Sequence, residues 1–425
     1  MNNKTPKEIV KILDSLVVGH LNAKKCLANA LRNRWRRSQV AEPLRTEITP
    51  KNILLIGSTG VGKTELARRL AIISDAPFIK VEATKFTEVG YRGHDVEQII
   101  RDLIEIEIQN VKKRKSNAEI ELSIENKLLD ALYGKSASYE SREDARKKLR
   151  NGELDNQLVE LEGKIPKFDF PDLGIDPLVF ENAMNKVTQA FGDLTHKKRK
   201  RMTVSEAKET LRKETKENLL PDQADIAKII DTVEQNGIVF IDEIDKIAEA
   251  AERQDKGRVS REGVQRDLLP LVEGTIITTK YGPISTNHIL FIASGAFHMS
   301  EPKDLIPEFR GRFPIEITLQ SLGIPEFIQI LKNLDNNLLY QTQALLAIDG
   351  ISVSFTDEAI QAIAEIAFEK NAAEENLGAR RLHQLLEIIL SEVSFNMEEK
   401  NVNFTAEDIK NLCSIGRDDL PEGCL

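Results

Sequence analysis

The sequence predicts an α/β fold: a parallel β-sheet flanked by helices, with an inserted helical domain and a small mixed α/β C-terminal domain. Three observations carry this. Asn52-Ile53-Leu54-Leu55-Ile56 is a short apolar run that ends in a Gly/Ser/Thr turn, and helical periodicity follows from Thr64 to Ile73. Gly237 to Ile241 and His288 to Ala293 repeat the buried-strand pattern. Between the first strand region and these two lies a long Lys/Glu-rich stretch with few β-branched runs, the texture of a helical insert.

In chain order, Thr5-Pro6-Lys7-Glu8 reads as a helix start, with a capping threonine, a proline in the first turn and a glutamate three residues on. Residues 1–50 are helical and basic, and Lys24, Lys25, Arg32, Arg34, Arg36 and Arg37 border an apolar stripe as a solvated face. Pro77 to Val81 is a second strand of the sheet. The sheet domain is therefore split, 1–109 and 224–314, around an insert at 110–223. The insert contains a Gly/Pro-punctuated stretch from Gly163 to Pro177 and a basic block, His196 to Arg201, also read as solvated. Residues 315–425 form the C-terminal domain. Its helix from Asp357 to Lys370 carries apolar Ile360, Ile363, Ile366 and Ala367, beside alternating strands Ile351-Val353-Phe355 and Val402-Phe404.

The chain of 425 residues has room for two to four domains at roughly 100–200 residues each. Its net charge of −9 repels nucleic acid and acidic membrane. Cys26, Cys413 and Cys424 are far apart and show no CxxC spacing, so the expectation is a reducing compartment with neither a disulfide framework nor a zinc site. The N-terminus has no signal pattern, and no apolar run approaches the eighteen or so residues of a membrane span.

Gly57 to Thr64 fits G-x-x-x-x-G-K-[ST] between a predicted strand and a predicted helix, the context that a phosphate-binding loop requires. Its glycines let backbone N–H groups wrap phosphates. Lys63 reaches the β/γ-phosphates, and the Thr64 hydroxyl is a ligand for Mg²⁺. Asp242 and Glu243 end a strand of the same sheet, Asp242 placed to hold the water shell of the magnesium and Glu243 to activate the attacking water, so ATP hydrolysis is implied. The 179 residues separating Lys63 from Asp242 exceed what one strand and its crossovers need, and the surplus is the insert.

Other residues leave two readings open. Arg312, in Glu308-Phe309-Arg310-Gly311-Arg312, is either a surface arginine or one that completes a neighbouring subunit's site, an arrangement worth roughly 10³–10⁵ in rate. Arg380 opens a helix with apolar face Leu382, Leu385, Leu386 and Ile389, and either senses the γ-phosphate or is an exposed helix charge. Gly90-Tyr91-Arg92-Gly93 is either a flexible loop that grips an unfolded chain or a loop with an inward tyrosine. His20, His94 and His383 lack metal-ligand spacing and receive no role.

These motifs, with the box Ala30 to Arg37, the stretch Phe78 to Tyr91 and segments Ile238 to Ile247, Ser260 to Gly274, Leu290 to Phe297 and Gly378 to His383, resemble the HslU (ClpY) family of AAA+ ATPases. The resemblance runs from about Thr5 to the C-terminal helices. It implies a bacterial cytoplasmic homohexamer that binds ATP and Mg²⁺, unfolds tagged or unfolded protein substrates through an axial pore, and feeds them to an HslV-type threonine peptidase. It also implies that Val18 contacts adenine, and that Gly60, Val61, Gly62, Lys63, Thr64 and Glu65 hold the phosphates. Asp242 and Glu243 serve the magnesium and water, Glu308 and Arg312 the inter-subunit site, Arg380 the second sensor, and Tyr91 the pore grip.

Three features depart from the family pattern. Ser58 stands where the family usually has proline, which loosens the turn without removing a phosphate contact. Arg92 replaces a usually apolar pore residue, so a ring would gather like charges around its channel and favour acidic or polar polypeptides. In the family, an apolar, aromatic-containing tail docks into the peptidase. Here Asp419-Leu420 and the terminal Leu425 remain, but Gly423 and Cys424 replace bulky residues; a lost aromatic anchor can cost on the order of 2 kcal/mol or more per subunit, so either the peptidase groove has changed or the coupling is weak. Two further readings stay in view: a stand-alone remodelling chaperone uncoupled from a peptidase, and a nucleic-acid motor. The acidic total and the absence of an aromatic series along the basic blocks weigh against the motor.

Overall fold

The computed structural model describes residues 4–86, 95–114, 117–133, 145–146, 148–149, 151, 154–155, 157–162, 199–217, 223–248, 261–335, 337–397 and 400–414. Gly90, Tyr91, Arg92, Gly93, Leu420 and Leu425 lie outside the described residues. The chain divides into two compact units, one made of 1–108 and 223–425 and the other of 109–222.

The strands are β1 (Ile53–Ile56), β2 (Phe78–Glu82), β3 (Leu158–Glu162), β4 (Arg199–Thr203), β5 (Ile238–Asp242), β6 (Ile276–Thr279), β7 (Gly282–Ser285), β8 (Leu290–Gly295), β9 (Ile315–Thr318), β10 (Ser352–Phe355) and β11 (Asn401–Phe404). In the larger unit, five strands form a sheet in the order β2-β5-β8-β1-β9, parallel throughout. Their inward residues alternate between faces. Ile53, Leu55, Ile238, Phe240, Leu290 and Ile292 pack with the helices Pro6–Leu16, Leu21–Ser38 and Lys63–Ser74 in one core. Leu54, Val239, Ile241, Phe291 and Ala293 alternate with them and are equally buried. The predicted capping box at Thr5 and Glu8 is formed, with both reciprocal hydrogen bonds. β6 and β7 make a separate antiparallel hairpin.

β9 lies beyond the expected domain boundary at 314/315, yet it pairs with β1, Ile53 opposite Ile315. Its four residues alternate apolar and polar, as suits a short edge strand half covered by helices. A second core follows. Helices Ile324–Lys332, Leu338–Leu346, Asp357–Ala373 and Arg380–Asn396 enclose Phe327, Ile363, Leu382, Leu386 and Ile389 with the parallel pair β10–β11. Phe355 and Phe404 stack there with ring centroids 5.2 Å apart. Leu322 packs against both cores.

The smaller unit, expected as helical, also contains an antiparallel ribbon, β3 with β4. Val159 of this ribbon joins Ile124, Leu128, Val204 and Ala207 in a core of its own, built with helices Asn117–Tyr133 and Val204–Glu217. Among the described residues no helix is long and apolar enough to cross a membrane.

The basic N-terminal face is not uniformly solvated. Lys25 and Arg36 are exposed, but Lys24, Arg34 and Arg37 are buried. Lys24 Nζ donates to Asp14 Oδ1 at 2.6 Å and to the Val17 carbonyl at 2.5 Å, tying the first two helices together. Arg34 Nη2 donates to the carbonyls of Gln235, Gly237 and His288. Long cationic side chains can reach main-chain carbonyls at the ends of neighbouring elements, and those bonds override the solvated reading.

Candidate active site

Residues 57–62 connect β1 to the Lys63–Ser74 helix and cross the carboxyl end of the sheet. Gly60 has φ +71° and Gly62 has φ +103°, conformations that side chains with a Cβ rarely adopt. A Cβ on Gly60 would also lie 1.9 Å from the Leu377 carbonyl oxygen. The loop is thus pressed against the segment that precedes the Arg380–Asn396 helix, and the Ala379 N–H donates to the Gly60 carbonyl at 3.1 Å. Lys63 is buried and donates to the carbonyls of Gly57 and Ser58. Burial lowers the Lys63 pKa, with Asp242 and Asp245 opposing and Arg380 adding to the fall.

Asp242 ends β5, and β8 separates that strand from β1. Three donors converge on Asp242. Ser294 Oγ donates to Oδ1 at 2.9 Å, the Glu243 N–H donates to the same oxygen at 3.1 Å, and Thr64 Oγ1 donates to Oδ2 at 3.3 Å. Lys80 Nζ makes an ion pair with Oδ2 at 2.8 Å. Burial alone would raise the Asp242 pKa, but Lys80, Ser294 and the Glu243 N–H together outweigh it and hold the carboxyl below its ordinary value. The next residue, Glu243, takes the left-handed conformation at φ 57°, strained for a side chain of this kind, and its Oε2 lies 3.5 Å from Thr84 Oγ1.

The glycine loop and the two acidic residues border one cavity of about 810 Å³. Val18, Gly60, Val61, Gly62, Lys63, Thr64, Glu65, Asp242, Glu243 and Arg380 all border it. Glu65 is held by Arg68 and Arg69, each at 2.6 Å. Glu308 and Arg312 are exposed and are not among the lining residues; Arg312 pairs with Glu273.

Several participants escaped the sequence reading. Lys80 and Ser294 reach Asp242 from neighbouring strands, Lys80 within Phe78–Glu82 and Ser294 within the otherwise apolar Leu290–Gly295. His20, assigned nothing, donates from Nε2 to the Val61 carbonyl at 2.9 Å, and burial lowers its pKa. His383, also unassigned, lines the same cavity. His94 lies outside the described residues.

The family model of the ATPase family associated with various cellular activities (AAA) matches residues 53–146, and that of the AAA domain of the Cdc48 subfamily matches residues 178–316. The chain is 50% identical over 410 residues to the ATP-dependent protease ATPase subunit HslU of Methylobacterium radiotolerans, covering 94% of this chain and 93% of the relative. The HslU of Parvibaculum lavamentivorans is 50% identical over 408 residues, and that of Rhodospirillum centenum 48% over 410, with the same coverage. Identity of this extent, across both halves of the sheet and the insert between them, establishes that the chain belongs to the HslU family, AAA ATPases that hydrolyse ATP as subunits of ATP-dependent proteases.

Proposed function

We propose that the 810 Å³ cavity binds Mg–ATP, and that a ring of six such chains uses its hydrolysis to thread polypeptides through an axial pore into an HslV-type threonine peptidase. One observation carries the nucleotide reading. The glycine loop after β1, the Asp242-Glu243 end of β5 and Gly295 at the end of β8 line a single cavity, with Ser294 behind it bonded to Asp242. In open α/β sheets, ligands bind at this carboxyl edge.

In this reading the N–H groups of Gly60 to Glu65 and the Lys63 ammonium cradle the phosphates, and Val18 contacts the adenine. Thr64 and, through water, Asp242 would hold Mg²⁺; one hydroxyl and an ionised carboxylate suit a hard cation that keeps most of its waters. When bound, the ion neutralises charge developing on the β- and γ-phosphate oxygens. Glu243 accepts the proton of the attacking water, and Arg380 contacts the γ-phosphate. Glu308 and Arg312, away from this chain's own cavity, serve the neighbouring subunit. Tyr91, between Gly90 and Gly93 and beside Arg92, grips the substrate, and Leu420 and Leu425 dock on the peptidase.

Glu243→Gln tests the core of the proposal. It should bind ATP with unchanged affinity while turnover falls by about a hundredfold or more. Undiminished turnover would remove Glu243 from the mechanism. Deletion of Leu425 should leave the ATPase intact and abolish stimulation of an HslV-type peptidase. Substrate unfolding without any peptidase stimulation by the unmodified chain would favour a stand-alone remodelling chaperone.

A further inference from the structure

A second cavity, of about 510 Å³, lies against the Leu21–Ser38 helix and shares no lining residue with the first. Its volume is within the range of about 300–1,000 Å³ usual for small-molecule sites. Part of its wall is aliphatic, with Val40, Ile48 and Ile315, and part is basic, with Arg34, Arg37 and His288.

The basic part has unmet hydrogen-bonding capacity. Arg34 is only 6% exposed. Its Nη2 is committed to three carbonyls, at 2.9, 3.0 and 3.2 Å, but its Nε and Nη1 are buried without a hydrogen-bond partner, as is His288 Nδ1. Three N–H donors of one guanidinium are therefore unused. Arg37 donates only to neutral acceptors, the carbonyls of Arg45 and Ile48 and Oε1 of Gln235. The acidic group acting on this cluster, Glu42, is engaged by Arg45 at 4.0 Å and by Thr46 at 2.6 Å. Burial and the neighbouring Arg37 lower the pKa of Arg34 to about 9. A buried cation supplied with carbonyls and no counter-charge is costly, and an anion in the adjoining cavity would remove that cost.

We propose that this cavity is a binding site for a small organic anion, a carboxylate or phosphate monoester on an aliphatic body. Its anionic head lies on the basic wall formed by Arg34, Arg37 and His288 and supplies the counter-charge that Arg34 lacks, while its body lies on Val40, Ile48 and Ile315. The phosphate loop and Asp242 take no part.

Cys26, which also lines the cavity and is partly accessible, is the reporter, with buried Cys413 as internal reference. The full chain is saturated with ADP to fill the nucleotide site, treated with iodoacetamide, and digested for peptide mass spectrometry. Octyl phosphate and octanoate are the probes, separating phosphate from carboxylate heads, and inorganic phosphate is the head alone. A bound probe at ten times its Kd should slow Cys26 alkylation about tenfold without slowing Cys413. Arg34→Met should abolish protection. Val40→Trp, which narrows the cavity and keeps every Arg34 hydrogen bond, should weaken the probe by about tenfold or more. Failure of both octyl probes to protect, protection by inorganic phosphate as strong as by octyl phosphate, or full protection in folded Val40→Trp would each overturn the assignment.

Discussion

Asp242 receives three hydrogen bonds and one ion pair, all favouring its ionised form against the burial that opposes it. Lys80 is the strongest of these influences. Because the folded pKa is depressed, the ionised state is secure above the ordinary carboxylate value and is lost only as pH falls through the lower, folded value. Lys80→Met leaves burial dominant, so the acid limb of the ATPase pH profile should move to higher pH, with little change near neutrality. A profile that superimposes on that of the unmodified chain would show that Lys80 does not set the state of Asp242. Asp242 itself was legible in the sequence because it ends a contiguous apolar run. Lys80 and Ser294 were not, because sheet register brings them to it, β5 pairing β2 on one side and β8 on the other. A lysine within Phe78–Glu82 and a serine within the apolar run Leu290–Gly295 were the available signals.

Two elements meet where the glycine loop touches the start of the Arg380–Asn396 helix. Gly60 and Gly378 both have positive φ, and a Cβ on Gly378 would lie 2.7 Å from the Gly60 carbonyl carbon and oxygen, which are backbone atoms with no rotamer to yield. Gly378→Ala should therefore cost about 1–2 kcal/mol from conformation alone and push the loop away from Arg380. Nucleotide affinity, read by titration with a fluorescent ATP analogue, should fall by about tenfold, a loss of ~1.4 kcal/mol. Unchanged affinity in the folded variant would mean that this contact does not shape the phosphate site. The Leu21–Ser38 helix shows the opposite relation between pattern and structure. Its periodicity located the buried stripe, yet Lys24, Arg34 and Arg37 also turn inward, since their partners are main-chain carbonyls or side chains elsewhere in the chain. A helical-wheel pattern contains no information about those acceptors.

At the scale of the whole molecule, Arg312 is exposed, paired with Glu273, and absent from the lining of the 810 Å³ cavity of its own chain. The proposed role of Arg312 in turnover therefore requires a heterologous ring contact, which brings one subunit's surface to its neighbour's cavity. Arg312→Ala alone should lower the ATPase rate by about 10³-fold while nucleotide binding persists. Mixing it with Glu243→Gln makes the stronger test, because each variant retains the residue that the other lacks. Where an Arg312→Ala subunit supplies Glu243 and its neighbour supplies Arg312, a complete site forms, at about a quarter of the interfaces in an equal random mixture. Co-assembled variants should then recover ATPase activity well above the sum of the two separate preparations. Arg312 acting within its own chain predicts no recovery at any mixing ratio, since no chain in the mixture would have both residues.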